Sequence, residues 1–291
     1  MCRLANLGVL LLASSLAMAQ DTRVVLLGTG NPNPEPGRMG PAVAIISGTH
    51  VYIVDCGAGV VRRAAQAGIA MEQITRAFLT HLHSDHTVGL PDLIFTPAVT
   101  GRKEPLEIYG PPGTRAMTAH VRKAWSQDRQ IRLHGLEPSV AQAYVVHAHD
   151  SAPGEIYRDS TLHVIAIPVN HGSWKHAYGY RFEAPDKTIV LSGDTTYSPG
   201  LIAAAQGCDI LVHEVYSEKG LQARTADWQR YHRAFHTSAR DVGRVASQVH
   251  PKTLVLYHQL PMGQTAEEVL QEIRETYSGT TLYGKDLDVI R

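Results

Sequence analysis

Four metal-competent side chains lie within six consecutive positions of the sequence, at His81, His83, Asp85 and His86. The apolar residues directly before them predict a buried strand. Alternate residues of an extended chain point to the same side, so His81 and His83 are expected to hold one ion together. Asp85 and His86 follow where a turn begins, and they are expected to face a second position close by. Because imidazole and carboxylate ligands suit zinc, iron or manganese, this stretch predicts a metal site mounted on the end of a strand.

The composition is that of an ordinary globular protein, with 44% hydrophobic and 19% charged residues in a chain of 291. Lysine plus arginine (27) equals aspartate plus glutamate (27), so the chain has no excess of positive charge of the kind that nucleic-acid-binding proteins carry. Sixteen histidines is a high count, and several of them stand where strands are predicted to end. The composition therefore favours histidine chemistry and argues against a nucleic-acid partner.

Residues 1–19 have the pattern of an export signal. Arg3 supplies a positive start, residues 7–16 are apolar, and small residues precede a cleavage site after Ala19. The apolar run is too short to cross a bilayer, so the mature chain is expected to contain no membrane span. These features predict a periplasmic or secreted protein whose residues 20–291 form one domain.

The mature chain contains two cysteines, Cys56 and Cys208. In an exported protein they could form a disulfide or remain two buried thiols. Both lie in or before apolar strand segments, which favours buried thiols, although the sequence alone does not decide between the two.

Predicted strands and helices alternate along the mature chain, and His or Asp side chains recur where strands end. Strands are predicted over 23–27, 43–46, 51–54, 106–109, 161–167, 178–182, 188–191, 210–212 and 253–257. Helices are predicted over 60–67 and 115–125, over 201–205, from a cap at Ser238 to 248, and after a cap at Thr265. An α/β fold with its functional residues gathered at one edge of a sheet accounts for this pattern.

The ordered set of metal-competent residues resembles the metallo-β-lactamase superfamily. It begins with His81-x-His83-x-Asp85-His86 and continues with His171, Asp194 and His258. Shorter motifs are similar to the ribonuclease Z and arylsulfatase-like branch, namely Leu27-Gly28-Thr29-Gly30, Asp55-Cys56-Gly57, Gly110-Pro111-Pro112-Gly113-Thr114, Ser192-Gly193-Asp194-Thr195, His213-Glu214 and His236-Thr237-Ser238. The resemblance implies a single-domain, four-layer αββα sandwich with a two-metal site along one edge.

The resemblance also implies how two divalent ions would be held, with zinc favoured and manganese or iron as alternatives. The two ligand groups share Asp194 as a bridge and comprise His81, His83 and His171 for one ion and Asp85, His86 and His258 for the other. Such a pair lowers the pKa of a bridging water and so provides a hydroxide nucleophile. Asp85 would orient that hydroxide, and His236 backed by Glu214 would protonate the leaving group.

These inferences favour an exported hydrolase of small phosphodiester or aryl sulfate-type esters. A lactone or β-lactam hydrolase is a second enzymatic option, and a non-catalytic periplasmic zinc-binding protein is an option of another class. A tRNA nuclease is disfavoured by the export signal, by the charge balance and by the lack of a basic glycine-rich insertion after Pro111-Pro112-Gly113. A small-molecule ester is therefore the expected partner, with no nucleic acid. The sequence leaves open the oligomeric state, a homodimer included, and the roles of Trp174, Lys175 and His176.

Overall fold

The computed structural model describes residues 21–291. The predicted export signal lies outside the described residues, so cleavage after Ala19 stays a prediction. No helix within the described part of the chain has the length and apolar character needed to cross a membrane.

The described residues form two seven-stranded sheets. The strands of the first sheet are β1 (Arg23–Gly28), β2 (Ala42–Ser47), β3 (His50–Val54), β4 (Ile74–Phe78), β5 (Leu106–Gly110), β6 (Val146–Asp150) and β14 (Val289–Ile290). Those of the second are β7 (Gly154–Arg158), β8 (His163–Pro168), β9 (Tyr178–Glu183), β10 (Thr188–Leu191), β11 (Ile210–Tyr216), β12 (Thr253–Leu260) and β13 (Thr281–Tyr283). The orders are β14-β1-β2-β3-β4-β5-β6 and β13-β12-β11-β10-β9-β8-β7.

The helices connect these strands and cover the outer faces of the sheets. They are α1 (Val60–Gln66), α2 (Ser84–Thr87), α3 (Leu90–Thr100), α4 (Thr114–Ala124), α5 (Ser126–His134), α6 (Pro199–Ala205), α7 (Glu218–Gln222), α8 (Ala226–Phe235), α9 (Ala239–Val249) and α10 (Ala266–Arg274). Short 3-10 helices lie at Met71–Gln73 and Ala141–Tyr144.

Three apolar layers hold the structure together. In β1, Val24 and Leu26 pack between the two sheets, whereas Val25 and Leu27 face the outer layer that contains α1 and α3. A third layer joins the second sheet to α6, α9 and α10. Strands covered on both faces have no polar side, which explains why β1 is apolar almost throughout. The predicted αββα sandwich is confirmed.

Both cysteines are buried free thiols, as favoured from the sequence. Cys56 belongs to the outer layer of the first sheet and Cys208 to that of the second, so the two sheets separate them.

A buried arginine joins three segments on the outer side of the first sheet. Arg102 is 1% exposed, and its guanidinium donates to the carbonyls of Ile94 at 2.6 Å, Ala143 at 2.8 Å, Leu93 at 3.2 Å and Ile74 at 3.4 Å. Burial lowers its pKa to about 10. The charge is thus satisfied by backbone oxygens of α3, the start of β4 and a 3-10 helix.

We predict that Arg102→Met lowers the free energy of unfolding by about 3–5 kcal/mol, because several buried carbonyls lose their donor at once. Denaturant unfolding followed by circular dichroism measures the change. Arg62→Met is the matched control, since the Arg62 side chain is 83% exposed and surface changes usually stay within about 0.5 kcal/mol. Equal stability of the two variants would contradict the anchoring role.

Candidate metal centre

The structure brings the seven predicted metal ligands together where strands of the two sheets end side by side. His81 and His83 follow β4, and Asp85 and His86 lie in α2. The second sheet supplies the other three, His171 after β8, Asp194 after β10 and His258 within β12. Their ligand atoms fall into groups whose members lie within 4.8 Å of one another, and one of these groups also includes His236.

The Asp194 carboxylate lies at the centre of the cluster. Its Oδ2 is 3.4 Å from His86 Nε2 and 3.3 Å from His258 Nε2. The same oxygen is 3.9 Å from His81 Nε2 and 3.9 Å from His171 Nε2. Among the carboxylates of the described residues, Asp194 is therefore the one that lies within 4 Å of imidazoles from both predicted ligand groups.

The spacing of the donor atoms in the first group fits one small cation. His83 Nδ1 is 2.9 Å from His81 Nε2 and 3.1 Å from His171 Nε2. Ligand atoms arranged tetrahedrally around a zinc ion at its usual bond lengths lie about 3.3 Å apart. In the second group, Asp85 Oδ2 lies 3.6 Å from His86 Nε2 and 3.3 Å from His258 Nε2.

Several buried atoms of the cluster lack a partner among the described residues. Asp194 Oδ1, His86 Nε2 and His258 Nδ1 make no hydrogen bond. Leaving such atoms unsatisfied costs about 1–3 kcal/mol each. Orphaned donor atoms, close spacing and a ligand set of imidazole and carboxylate together fit divalent cations.

A second contact fixes the orientation of three of the imidazoles. Asp55 Oδ2 lies 2.8 Å from His86 Nδ1, Thr80 Oγ1 lies 3.0 Å from His81 Nδ1, and the Phe235 carbonyl accepts from His171 Nδ1 at 2.7 Å. Each contact leaves Nε2 facing the cluster, as is usual for metal-binding histidines.

Asp55 is a site residue that sequence reasoning did not assign. Its Oδ1 accepts from the backbone N–H of Thr80 at 2.8 Å, and its Oδ2 accepts from the Thr80 hydroxyl at 2.8 Å. Asp55 has φ of 59°, a conformation that aspartate tolerates better than most residues. The motif Asp55-Cys56-Gly57 contained the signal, but only the fold shows that it faces His86.

A local irregularity of β12 points His258 into the cluster. Glu214 pairs with Tyr257 and Val215 pairs with Gln259, so His258 is the extra residue of a bulge between β11 and β12. Its φ of 41° is also unusual for a residue other than glycine. Bulges commonly redirect a side chain beside a functional site.

The buried charges stabilise each other's ionised forms. Burial would raise the pKa of Asp194, but the imidazoles of His258 and His86 hold it well below its usual range. Burial would lower the pKa of His86, but the carboxylates of Asp194 and Asp55 raise it well above the usual value. Burial, followed by the charge of His171, lowers the pKa of His83 to about 4. Asp194 is therefore ionised and His83 is neutral, the forms that bind cations, whereas His86 has to release a proton when a cation binds.

Glu214 and His236 form a buried pair beside this cluster. Glu214 Oε1 accepts from the backbone N–H groups of Thr195 and Thr237, both at 3.1 Å, and lies 3.2 Å from His236 Nδ1. Burial, followed by the charge of Asp194, raises the pKa of Glu214 well above its usual value. Because Nδ1 of His236 faces Glu214, Nε2 is the nitrogen left to act on a substrate.

The structure places Trp174 beside the cluster, whereas Lys175 is exposed. The Trp174 indole N–H points at His83 Nε2, 2.6 Å away, and its ring packs edge-on against that imidazole. Trp174 therefore covers the outer side of His83, a role that the sequence did not settle.

A pocket of about 780 Å³ opens onto the cluster. Its floor includes His83, Asp85, Asp194, His236 and His258. The walls come from the loop after β1, the segment that leads into α8, α8 itself and the loop after β12. A pocket of this size lies in the range of sites for small ligands or parts of larger ones.

Comparison with known proteins agrees with this geometry. Residues 50–259 match the family model described as Beta-lactamase superfamily domain. Ribonuclease Z of Mycobacterium bovis (strain BCG / Pasteur 1173P2) is 34% identical over 274 residues, which cover 91% of this chain and 96% of that protein. Ribonuclease Z of Mycobacterium sp. (strain KMS) is 35% identical over 240 residues, covering 82% and 84%.

Two solved structures have a similar fold. The metallo-beta-lactamase fold protein YhfI from Bacillus subtilis superposes with a TM-score of 0.71 at 19% identity, over 93% of this chain and 100% of that one. Human tRNase Z, short form, gives a TM-score of 0.69 at 21% identity, over 92% and 98%.

These relatives overturn the predicted substrate class. The prediction that this hydrolase acts on small phosphodiester, aryl sulfate, lactone or β-lactam substrates is wrong, because the curated relatives that span most of the chain are ribonucleases. The expectation of a small-ester partner and no nucleic acid is wrong for the same reason. The equal numbers of acidic and basic residues argued wrongly against a nucleic-acid partner. That balance counts side chains alone, whereas divalent cations in a buried cluster would add positive charge at the site itself.

The broader predictions, of a metal-dependent hydrolase and of a site for divalent metal, are confirmed. The family model, the relatives that cover most of the chain and the fold all indicate the same protein family. The chain belongs to the metallo-β-lactamase superfamily, in its ribonuclease Z branch.

Proposed function

We propose that this protein is a metal-dependent ribonuclease that hydrolyses a phosphodiester bond in RNA. The observation that carries the proposal is the buried His and Asp cluster at the floor of an open pocket. The names of the relatives that span most of the chain support RNA as the substrate.

In this proposal the two ligand groups named above hold two divalent ions, with zinc the expected metal. His81, His83 and His171 would hold one ion and Asp85, His86 and His258 the other, and Asp194 lies close enough to both groups to contribute to each. When bound, such ions supply Lewis-acid stabilisation and lower the pKa of a water molecule.

The chain's own residues position the reaction and move the protons. Asp85, at the pocket floor, orients the attacking water through its carboxylate. His236 delivers a proton from Nε2 to the leaving oxygen, and Glu214 holds the opposite side of the ring. Glu214 is itself held by two backbone N–H groups, so the imidazole needs little reorganisation during the reaction.

The proposal predicts metal-dependent cleavage of RNA. The full chain, loaded with zinc or manganese, is incubated with an end-labelled precursor tRNA bearing a 3′ trailer, with a single-stranded RNA, and with DNA of the same sequence. Cleavage at a defined position in RNA, lost on adding a chelator and restored by metal, is the expected result.

Asp194→Ala protein purified in parallel is the control for contaminating nucleases, because it shares every purification step. Failure of the metal-loaded protein to cut any RNA faster than this variant would overturn the proposal.

A further inference from the structure

Helix α8 presents a row of rings to the pocket. Trp228, Tyr231, His232 and Phe235 follow one another at helical spacing, so they share one face of the helix. Trp228, Tyr231 and His232 line the pocket.

These rings continue the metal cluster outward to the surface. Trp228 stacks on His232 with ring centroids 5.7 Å apart and 28° between planes. His232 lies 5.6 Å from His236 at 37°, and His236 lies 5.6 Å from His258 at 18°. A column of neighbouring rings, with 18° to 37° between successive planes, thus leads from the cluster to the pocket mouth.

The outer end of the column is open to solvent. Trp228 is 55% exposed, and no residue of α8 is buried. A helix that buries none of its side chains gains little from aromatic residues, so folding does not account for a half-exposed tryptophan at this position.

A positive charge accompanies the rings. Of the residues in the described chain that line the pocket, Arg224 alone is an arginine or lysine, and only Thr225 separates it from α8. The other walls include Asn31, Met262 and Glu35, whose carboxylate pairs with Arg38 at 3.7 Å. An aromatic face beside a guanidinium is the usual arrangement for binding an unpaired nucleotide, with the base on the ring and the phosphate on the cation.

We propose that Trp228, supported by His232, is a stacking platform for an unpaired nucleobase on the strand that runs outward from the scissile phosphate, and that Arg224 contacts the backbone of the same strand. The site would therefore require single-stranded RNA beside the bond that is cut. This inference rests on the proposed ribonuclease activity, and it adds where and how the strand is held.

The test compares Trp228→Ala, Trp228→Phe and the wild type in RNA cleavage. Stacking on one base contributes enough binding that Trp228→Ala should raise KM about 5- to 150-fold, with kcat nearly unchanged. Trp228→Phe keeps a flat ring and should recover most of the loss. Trp125→Ala is the matched control, because Trp125 is 42% exposed but lies outside the pocket, and it should behave as wild type.

A second substrate identifies the stacked base. RNAs that carry a single abasic nucleotide are tested at each position near the cleavage site. One position should raise the wild-type KM by a similar factor and have little further effect in Trp228→Ala. If Trp228→Ala cleaves every RNA with wild-type KM, or if no abasic position loses its effect in that variant, the platform is wrong while the ribonuclease stands. If wild-type protein cleaves no RNA, both proposals fall.

Discussion

Asp194→Ala is expected to remove both metal ions together and to reduce RNA hydrolysis below about one thousandth of the wild-type rate. Changes in residues that only support metal ligands cost roughly 10- to 100-fold. A larger loss is expected here because Asp194 Oδ2 lies within 4 Å of imidazoles from both ligand groups. Elemental analysis and native mass spectrometry measure the metal content, and cleavage assays measure the rate.

Asp227→Asn is the control for this substitution, because Asp227 is an exposed residue of helix α8. It should keep two ions and full activity. Loss of a single ion from Asp194→Ala would show that this carboxylate belongs to one site and does not join the two.

His236→Ala should lower kcat by about 10²- to 10⁴-fold, the usual contribution of general acid–base catalysis, while both ions stay bound. The imidazole lines the pocket and is held by Glu214 through Nδ1. Glu214→Gln should give a smaller loss of the same kind, since an amide at this position still contacts His236 Nδ1 and only weakens the hydrogen bond that orients the ring. His120→Ala, on the exposed face of α4, should leave kcat unchanged.

A substrate with a better leaving group separates proton donation from positioning. When sulfur replaces the leaving bridging oxygen, the departing group needs little protonation, so most of the His236→Ala defect should disappear. An equal defect with oxygen and sulfur would mean that His236 positions the substrate. Loss of an ion from His236→Ala would make it a ligand, an arrangement that its closeness to Asp194 and His258 allows.

Sequence patterns predicted the strands well where both faces are buried. The predicted strand over 188–191 matches β10 in full, and those over 23–27 and 43–46 fall one or two residues short of β1 and β2. The predicted caps also hold, since Ser238 accepts from the Asp241 backbone N–H and Thr265 forms a capping box with Glu268. At these positions the strand or helix cap that the local residues predict is the one that the folded chain contains.

Two helices were missed for different reasons. Helix α8 has no buried residue, so no apolar period marks it, whereas α3 is largely buried but contains Pro97 in its interior, a residue that disfavours a helix. The platform on α8 and the contact between Asp55 and His86 both depend on chain segments brought together by folding. Local sequence gives no measure of those distances, so only residues that follow the family order, the metal ligands and the pair of Glu214 and His236, could be foreseen.

The cluster takes ligands from both sheets, with His81, His83, Asp85 and His86 on one side and His171, Asp194 and His258 on the other. Neither sheet alone holds a complete set for two ions, so metal affinity and sandwich stability are thermodynamically linked. An ion at one hundred times its dissociation constant adds about 2.7 kcal/mol to the free energy of unfolding if it binds only the folded chain. Bound metal would thus act as a reversible cross-link between two halves of the sequence, and removing it with a chelator would lower the free energy of unfolding.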